Sequence, residues 1–261
     1  MKKDILSEAK IRKKIKKNKN RIIAIYEETE STNLLAKELF KDDDAIVLAD
    51  RQSAGRGRLG RSFFSPQGSG LYMSVSVRCD ILPDDAVFVT VAAALAVSRA
   101  VDRLFDISTQ IKWVNDIYYK GRKVCGILAE TVWDTGKDKP PHIVVGIGVN
   151  VSEPCGGFPE EIKDKAVALP NKNVSRNALA AEIVNELDKI LDAFEKKDFL
   201  EEYRQKSCLM GKRVVVIPVN GQEFEAEVLE IDDNAHLVIV KDNGEKINLF
   251  TGEVSIKMQN N

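Results

Sequence analysis

The densest group of residues that could bind an anion lies in one short segment. Residues 53–61 read SAGRGRLGR and combine three glycines with three arginines. Arginine presents a planar set of N–H donors that matches phosphate and carboxylate oxygens, and its charge is permanent. Glycine lets the backbone N–H groups approach the same ligand. We therefore interpret Arg56, Arg58 and Arg61 as an anion-binding group on a glycine-rich loop.

The spacing of this loop also fits G-x-G-x-x-G, but the residues that follow exclude a dinucleotide-binding turn. That fingerprint requires a helix directly after the glycines. Instead, RSFFSPQGSG follows, with a proline and two further glycines. Two alternatives stay open for the loop. It could be a solvated surface linker, or a nucleic-acid patch in which Phe63 and Phe64 stack on bases.

Two further segments extend this chemistry. KWVND places Lys112, Asn115 and Asp116 within five residues, and a lysine ammonium can neutralise charge that develops on a phosphoryl group. Asp116 could orient that lysine, hold a magnesium ion or anchor an arginine; a surface turn with an ion pair is the alternative. The segment STN, residues 31–33, is expected to cap a helix. A helix N-terminus with hydroxyl and amide groups can also bind a polar, uncharged head.

The elements that must position these segments are read from hydrophobic periodicity and turn residues. We predict strands over residues 21–28, 45–50, 70–80 and 142–151, and a hairpin that turns at Lys120-Gly121. We predict helices over residues 31–41, 84–105 and 175–197. The first helix would place Leu34, Leu35 and Leu39 on one face, and the strand at 70–80 would have one apolar and one polar face. Short strands between turns after residue 210 predict a small all-β barrel.

Composition limits the class of protein. The chain has 261 residues, of which 44% are hydrophobic and 30% charged, with a net charge of −1. We find no apolar run of membrane length and no secretory signal. The four cysteines are widely spaced and the two histidines are too few for a His-rich metal site. Reduced thiols and a cytoplasmic location are therefore expected.

The first 21 residues form a basic arm, with ten Lys/Arg against two acidic residues. We expect a short solvated helix or a frayed segment. The arm is too short for a helix-turn-helix domain with its own core. The predicted organisation is thus a basic arm over 1–21, a main domain over 22–205 and a β domain over 211–258.

In a fixed order, the chain resembles the biotin protein ligases through the segments ESTN, QSAGRGRLGRSFFSP, GLYMS, KWVND, GILAE and VGIGVN. The resemblance runs from about Tyr26 to Val151, and the β tail resembles the family's C-terminal domain. It implies an α+β fold in which a mixed β-sheet is flanked by helices, as in class II synthetases and lipoate ligases. A small C-terminal SH3-like β-barrel follows.

The resemblance also implies a two-step reaction. The biotin carboxylate attacks the α-phosphate of ATP, which gives biotinyl-5′-AMP and pyrophosphate. A lysine of a biotin carboxyl carrier domain then attacks the mixed anhydride. The implied substrates and cofactors are biotin, ATP and Mg²⁺.

Roles follow from matching each residue to the family's motifs. The residues matched to biotin are Ser31, Thr32, Asn33, Gln52, Arg56, Gly57, Arg58 and Lys112. The residues matched to ATP and its phosphates are Arg56, Arg58, Arg61, Asn115, Asp116 and Asn150. Lys112 and Arg58 are expected to be catalytic, with Lys112 bridging the biotin carboxyl and the α-phosphate. Asp116 is the candidate metal ligand.

One position departs from the family pattern, because Val114 stands where a proline is usual. Some members carry an N-terminal DNA-binding domain and act as repressors. The 25 residues before the catalytic core are too few for it, so we expect no repressor function and no DNA binding. A homodimer is compatible with the resemblance. The alternative functions are a lipoate or octanoate ligase or transferase of the same fold, and a nucleic-acid-binding protein.

Overall fold

The structure, a computed structural model, describes residues 4–39, 44–77, 86–132, 142–170, 173–218, 221–250 and 253–256. The helices are α1 (Glu8–Lys14), α2 (Thr32–Leu39), α3 (Ala86–Phe105), α4 (Arg176–Leu191) and α5 (Phe199–Gln205). The strands of the main sheet are β1 (Ile22–Thr29), β2 (Ala45–Gln52), β3 (Gly70–Val77), β4 (Gln110–Lys112), β5 (Asp116–Tyr119), β6 (Arg122–Val132) and β7 (His142–Asn150). Those of the C-terminal sheet are β8 (Arg213–Ile217), β9 (Phe224–Ile231), β10 (Leu237–Val240), β11 (Lys246–Leu249) and β12 (Glu253–Ile256).

The main sheet is mixed and has the order β1-β2-β3-β7-β6-β5-β4. Strands β1 and β2 run parallel, and the other neighbouring pairs are antiparallel. Helices α3 and α4 share one large core with the odd-numbered residues of β3. On the opposite face, Ala36 of α2 packs on Val47 and Val144. The sheet flanked by helices confirms the predicted fold class.

The predicted strand at 70–80 is described over β3 (Gly70–Val77), with residues 78–80 outside the described ranges; β3 has the expected alternation, but both of its faces are buried. Met73 and Val75 enter the core on the α4 side, whereas Tyr72, Ser74 and Ser76 lie beneath the α2 side at 0–2% exposure. A buried hydroxyl needs a hydrogen-bond partner. The polar face of β3 is therefore an internal surface.

The leucines of α2 are not its main buried face, although the partly buried Leu35 packs against Ala36, Val47 and Val144. Leu39 is 55% exposed, and the buried side chains of this helix are Thr32, Asn33 and Ala36. The helix turns its polar first turn toward the sheet, because Ser74 and neighbouring groups there can satisfy those side chains. Packing has overridden the simple leucine pattern.

The basic arm is not solvated as expected. Ile11 and Ile15 are buried in the main core, and side chains of α4 bind the backbone of the arm. Asn177 Oδ1 accepts a hydrogen bond from the N–H of Ser7 at 2.7 Å, and Asn185 Oδ1 accepts one from the N–H of Lys16 at 2.8 Å. The lysines between residues 10 and 19 are exposed, while Ile11 and Ile15 anchor the arm.

The C-terminal strands form a five-stranded antiparallel sheet in the order β11-β10-β9-β8-β12. This agrees with the predicted small β domain. Sequence reasoning missed the short helix α5 that precedes it. Its Tyr203 is fully buried, and burial raises the pKa of the phenol.

No helix in the described ranges has both the length and the apolar character needed to cross a membrane. Cys125, Cys155 and Cys208 are free thiols, as predicted. Burial raises the pKa of Cys125, so this thiol stays protonated. Cys79, Asp84 and Asp85 lie outside the described residues.

Candidate active site

A chain of buried and partly buried hydrogen bonds crosses the α2 face of the sheet. Gln52 at the end of β2 accepts from the backbone N–H and from the hydroxyl of Thr32, at 2.9 and 3.1 Å. Its amide nitrogen donates to Ser65 Oγ at 2.9 Å. Ser74 Oγ lies 2.8 Å from Thr32 Oγ1. Hydroxyl and amide groups from four separate segments thus form one polar floor.

Asn33 completes this floor, and its amide has one orientation. Its Oδ1 lies 2.6 Å from Ser74 Oγ, while its Nδ2 donates to Leu128 O at 3.2 Å and to Glu130 Oε2 at 2.8 Å. An amide oxygen cannot donate, so the two acceptors on the other side determine the amide orientation. Ser31, Thr32 and Asn33 are all buried at 2–3% exposure.

Three glycines leave a trough in the sheet above these groups. A Cβ on Gly146 would collide with the Asn33 amide, and one on Gly148 would lie 2.5 Å from the Phe63 ring. Gly126 lies beside Gly148 on the next strand. Glycine within a strand often marks a close approach of another group. The alternating glycines of VGIGVN carried this signal, but sequence reasoning assigned them no role.

Lys112 and Asp116 lie on the same face as the trough. Strand register places Gly148 opposite Gly126, Gly126 opposite Asp116, and Asp116 opposite Lys112. Residues paired directly across strands share a face of the sheet. Lys112 Nζ lies 3.4 Å from Tyr118 Oη. KWVND therefore spans the end of β4 and the turn into β5, rather than the start of one strand.

The ion-pair partner of Asp116 is Lys123, at 2.6 Å. Sequence reasoning suggested Lys112, an arginine or a metal as its partner. The β5–β6 hairpin brings Lys123 close enough to compete for the carboxylate. Asp116 therefore does not orient Lys112 in the structure; it pairs with Lys123 instead.

Groups from outside the main sheet hold the turn that carries these residues. Trp113 Nε1 donates to Ala235 O in the C-terminal domain at 2.9 Å, and Tyr203 Oη donates to Val114 O at 3.0 Å. All four of these residues are buried. The peptide bond between Trp113 and Val114 is cis. The C-terminal domain therefore contributes to the shape of the candidate site.

The glycine-arginine loop folds back on itself as a small hairpin. Residues 56 and 62 form an antiparallel bridge, and Gly57 N donates to Arg61 O at 2.7 Å. Its tip contains Leu59 at φ 54°, followed by Gly60 at φ 73°. Gly55 is buried at its base, where a Cβ would meet Phe63 O at 2.5 Å. The short 3₁₀ turn Arg58–Gly60 and the absence of a following helix agree with the rejection of a dinucleotide-binding turn.

The loop covers a cavity of about 460 Å³ whose other wall contains Leu128 and Glu130. Arg58 Nη1 donates to Asn115 Oδ1 at 3.2 Å, and Arg56 Nη1 lies 3.9 Å from Glu130 Oε1. The loop thus connects the KWVND turn to the polar floor. Phe63 covers the glycine trough beneath it, and Phe64 is 38% exposed.

Asn115 and Asn150 are both assigned to ATP, but their hydrogen bonds and positions differ. Asn115 Nδ2 donates to Ile127 O at 2.7 Å, so one side of its amide serves the sheet and the other meets the loop arginine. Asn150 is 8% exposed and donates to Val167 O at 3.3 Å. That contact orders the segment after β7. The structure brings Asn150 to the edge of the same face without making it part of the loop cavity.

No group of three or more possible metal ligands occurs within the described part of the chain. Asp116 is the one carboxylate of the predicted set, and it is paired with Lys123. Mg²⁺ is commonly held by one or two carboxylates together with substrate phosphates. The residues present therefore fit a magnesium ion that a nucleotide carries in, and not a site built by the protein alone.

Comparison with known proteins agrees with the motifs that this face brings together. The Biotin/lipoate A/B protein ligase family matches residues 24–150. The bifunctional ligase/repressor BirA of Bacillus spizizenii is 31% identical over 265 residues, which cover 96% of this chain and 79% of that protein. The chain belongs to the biotin protein ligase family. The biotin--[acetyl-CoA-carboxylase] ligase of Mycobacterium tuberculosis is 33% identical over 84% of this chain and 83% of its own length.

Among solved structures, a biotin protein ligase from Aquifex aeolicus in complex with biotin and ATP superposes with a TM-score of 0.77. It is 27% identical and covers 91% of this chain and 99% of its own. As a biotin protein ligase family member, this chain carries all its predicted site residues within the matched range. Sequence reasoning missed Ser74, Glu130 and the glycine trough.

Proposed function

We propose that this chain is an ATP-dependent biotin ligase, which forms biotinyl-5′-AMP and transfers biotin to a lysine of a biotin carboxyl carrier domain. The observation that carries the proposal is one sheet face that holds both the polar floor and Lys112, with the arginine loop over the cavity on that face. A ligand with an uncharged polar head and a distant carboxylate fits that order of groups. The name of the Mycobacterium relative supports biotin as a substrate, and the Aquifex complex supports biotin and ATP.

The floor would bind the ureido ring of biotin. That ring has N–H donors and a carbonyl acceptor, and the hydroxyls of Thr32 and Ser74 can act as either. Asn33 and Gln52 hold those hydroxyls in place. Lipoate and octanoate have no such ring, and would leave this buried polar surface without ligand partners. The floor therefore favours biotin over those acids.

Lys112 and the loop arginines would stabilise the charge of the adenylation step. A carboxylate oxygen attacks the α-phosphorus, an O–P bond forms, and the bond to the β-phosphate oxygen breaks to release pyrophosphate. The attacking carboxylate and the phosphate are both anions, so an ammonium between them lowers their repulsion. Arg56, Arg58 and Arg61 would add bidentate donors to the phosphates. Catalysis would consist of positioning and charge neutralisation, without a covalent enzyme intermediate.

In the second step the acceptor lysine amine attacks the acyl carbon. An amide bond forms, the acyl–phosphate bond breaks, the amine gives up a proton, and AMP leaves. The intermediate is an anhydride that water would hydrolyse. A loop ordered over it would exclude water and retain it until the carrier arrives. Glycines at the loop's base and tip allow that movement.

Asn115 and Asp116 would support ATP, and Asn150 the adenosine part. Mg²⁺ bound with ATP would neutralise phosphate charge, with Asp116 as its candidate protein ligand. A homodimer remains a prediction of the family resemblance, and sedimentation of the purified protein with and without biotin tests it.

The deciding experiment is biotin-dependent exchange of labelled pyrophosphate into ATP in the presence of Mg²⁺. We expect exchange with biotin and at least tenfold less with lipoate or octanoate. Transfer of labelled biotin to a biotin carboxyl carrier protein tests the second step. Absence of exchange with biotin under every divalent metal tried would refute the ligase proposal, and equal exchange with lipoate would refute its specificity.

A further inference from the structure

Three side chains from two elements converge on the carboxylate of Glu130. Asn33 Nδ2 donates to Oε2 at 2.8 Å and Lys37 Nζ donates to Oε1 at 2.7 Å. Arg56 Nη1 of the loop lies 3.9 Å from the same Oε1. Glu130 lies on β6 at the wall of the loop cavity, and the roles assigned above do not include it.

These contacts differ in strength. Asn33 and Lys37 make hydrogen bonds, whereas Arg56 approaches as an ion pair with a side chain that is 47% exposed. Partial burial alone would raise the pKa of Glu130, but the hydrogen bonds from Lys37 and Asn33 and the charges of Lys37 and Arg56 outweigh it. The pKa of Glu130 is therefore lowered, and its carboxylate is ionised at neutral pH.

We propose that Glu130 is a positioning residue of the site, which fixes the Asn33 amide and holds Arg56 at the mouth of the cavity until an anionic ligand takes the guanidinium. This inference rests on the proposed function. It assigns to one carboxylate the link between the polar floor and the loop.

Transfer of the Arg56 guanidinium from Glu130 to an anionic ligand is favourable for Arg56 and leaves Glu130 paired. A phosphate or carboxylate ligand can accept two hydrogen bonds from Arg56, which is stronger than a half-exposed ion pair at 3.9 Å. When Arg56 leaves, Glu130 keeps Lys37 as its counter-ion. An unpaired, partly buried carboxylate would be costly, and the Lys37 ion pair avoids that state. The loop can therefore close over the ligand without disturbing the floor.

The first test is limited trypsin digestion of the full-length protein, with cleavage after Arg56, Arg58 and Arg61 followed by mass spectrometry. Glu130→Gln keeps an oxygen that can accept from Asn33 but removes the charge that attracts Arg56. Without ligand, we expect loop cleavage at least threefold faster than in the wild type. With saturating biotin, ATP and Mg²⁺ the difference should disappear, because the ligand then holds the loop in both proteins.

The second test uses the pyrophosphate exchange assay to separate the two roles of Glu130, which are to fix the Asn33 amide and to hold Arg56. Glu130→Ala also removes the Asn33 acceptor, so its KM for biotin should rise at least tenfold. In Glu130→Gln the rise should stay below threefold and kcat should match the wild type, because saturating ligand holds the loop in both proteins. Thermal unfolding checks that both variants fold, and Glu130→Gln carries the test if Glu130→Ala does not.

Glu28→Gln is the matched control. It removes one carboxylate from the exposed Glu28–Arg51 pair on β1 and β2, which contacts neither Asn33 nor Arg56. Loop cleavage in Glu130→Gln that equals the wild type, or an equal rise in Glu28→Gln, would overturn the proposal. A wild-type protein without biotin-dependent pyrophosphate exchange would instead refute the ligase function. The ligand-free digestion would still test whether Glu130 holds Arg56.

Discussion

The polar floor and the arginine loop, although they enclose one cavity, are built in opposite ways. In the floor, Ser74, Thr32 and Asn33 are buried and hydrogen-bonded to one another. In the loop, Arg56 and Arg61 are exposed and Arg58 is half-buried. The loop's backbone forms a local hairpin, and its side chains reach the rest of the site from exposed or half-buried positions, as in the Arg58–Asn115 and Arg56–Glu130 contacts.

This difference separates specificity from chemistry. Buried groups that are already oriented discriminate strongly, because a ligand that lacks the matching polar atoms leaves them unpaired. Exposed arginines discriminate little but can reorganise around a changing anion. We therefore expect substitutions in the floor to change the KM for biotin, and substitutions in the loop to change retention of the intermediate. Lys112, on the same sheet face at the end of β4, should change the rate of adenylation.

The largest effect is expected for Lys112→Ala. Loss of a cation that stabilises transition-state charge costs about 10²- to 10³-fold in kcat. The measurement is single-turnover formation of biotinyl-5′-AMP. Lys189→Ala, an exposed lysine of α4, serves as the control and should match the wild type. Undiminished adenylation in Lys112→Ala would remove this residue from the catalytic group.

A smaller effect is expected for Ser74→Ala in the floor. An unsatisfied buried partner costs about 1–3 kcal/mol, so the KM for biotin in the exchange assay should rise about tenfold with little change in kcat. Ser76→Ala is a matched control on the same face of β3. Its buried hydroxyl has no hydrogen-bond partner among the described residues, so its removal should cost little. Equal effects of the two substitutions would contradict a specific floor.

A change of about fivefold is expected for Arg58→Gly in the loop. Removal of the guanidinium takes away a donor to Asn115 and to the adenylate, so free biotinyl-5′-AMP should be released about fivefold faster. Biotinylation of bystander lysines should rise with it. Leu59→Gly introduces a neighbouring glycine where φ is already positive, without loss of charge. If Leu59→Gly releases as much intermediate, backbone freedom rather than arginine charge controls retention.

The smallest effect concerns pH. The pKa of Glu130 is lower in the folded protein than in the unfolded chain, so its stabilisation is complete above the unfolded value of about 4.3. It is lost as pH falls through the folded value. The free energy of unfolding should therefore differ between wild type and Glu130→Gln by at most about 1 kcal/mol at pH 6–7. That difference should shrink below about pH 4, as measured by urea unfolding at each pH; a constant difference would contradict the linkage.

Much of the fold could be predicted because its elements have strong local patterns. The alanine- and valine-rich α3 and the alternating β3 were recognised from periodicity, and the hairpin turn from Lys120-Gly121. The predictions failed where a distant partner decides. The first turn of α2 faces the sheet because Ser74 lies there, and the arm is docked because α4 offers Asn177 and Asn185. Leucine spacing and charge density contain no information about those partners.

For the candidate site, the sequence by itself determined the residue types, the glycine-arginine loop and the KWVND segment, because these are properties of consecutive residues. The roles assigned to those residues stay predictions. Tertiary structure alone decided that Asp116 pairs with Lys123, that Glu130 joins Asn33 to Arg56, and that three glycines form a trough. The physical reason is that strand pairing and helix packing, rather than local sequence, bring these residues together. Asn33 and Glu130 are separated by 97 positions and meet only when α2 packs on β6 and β7.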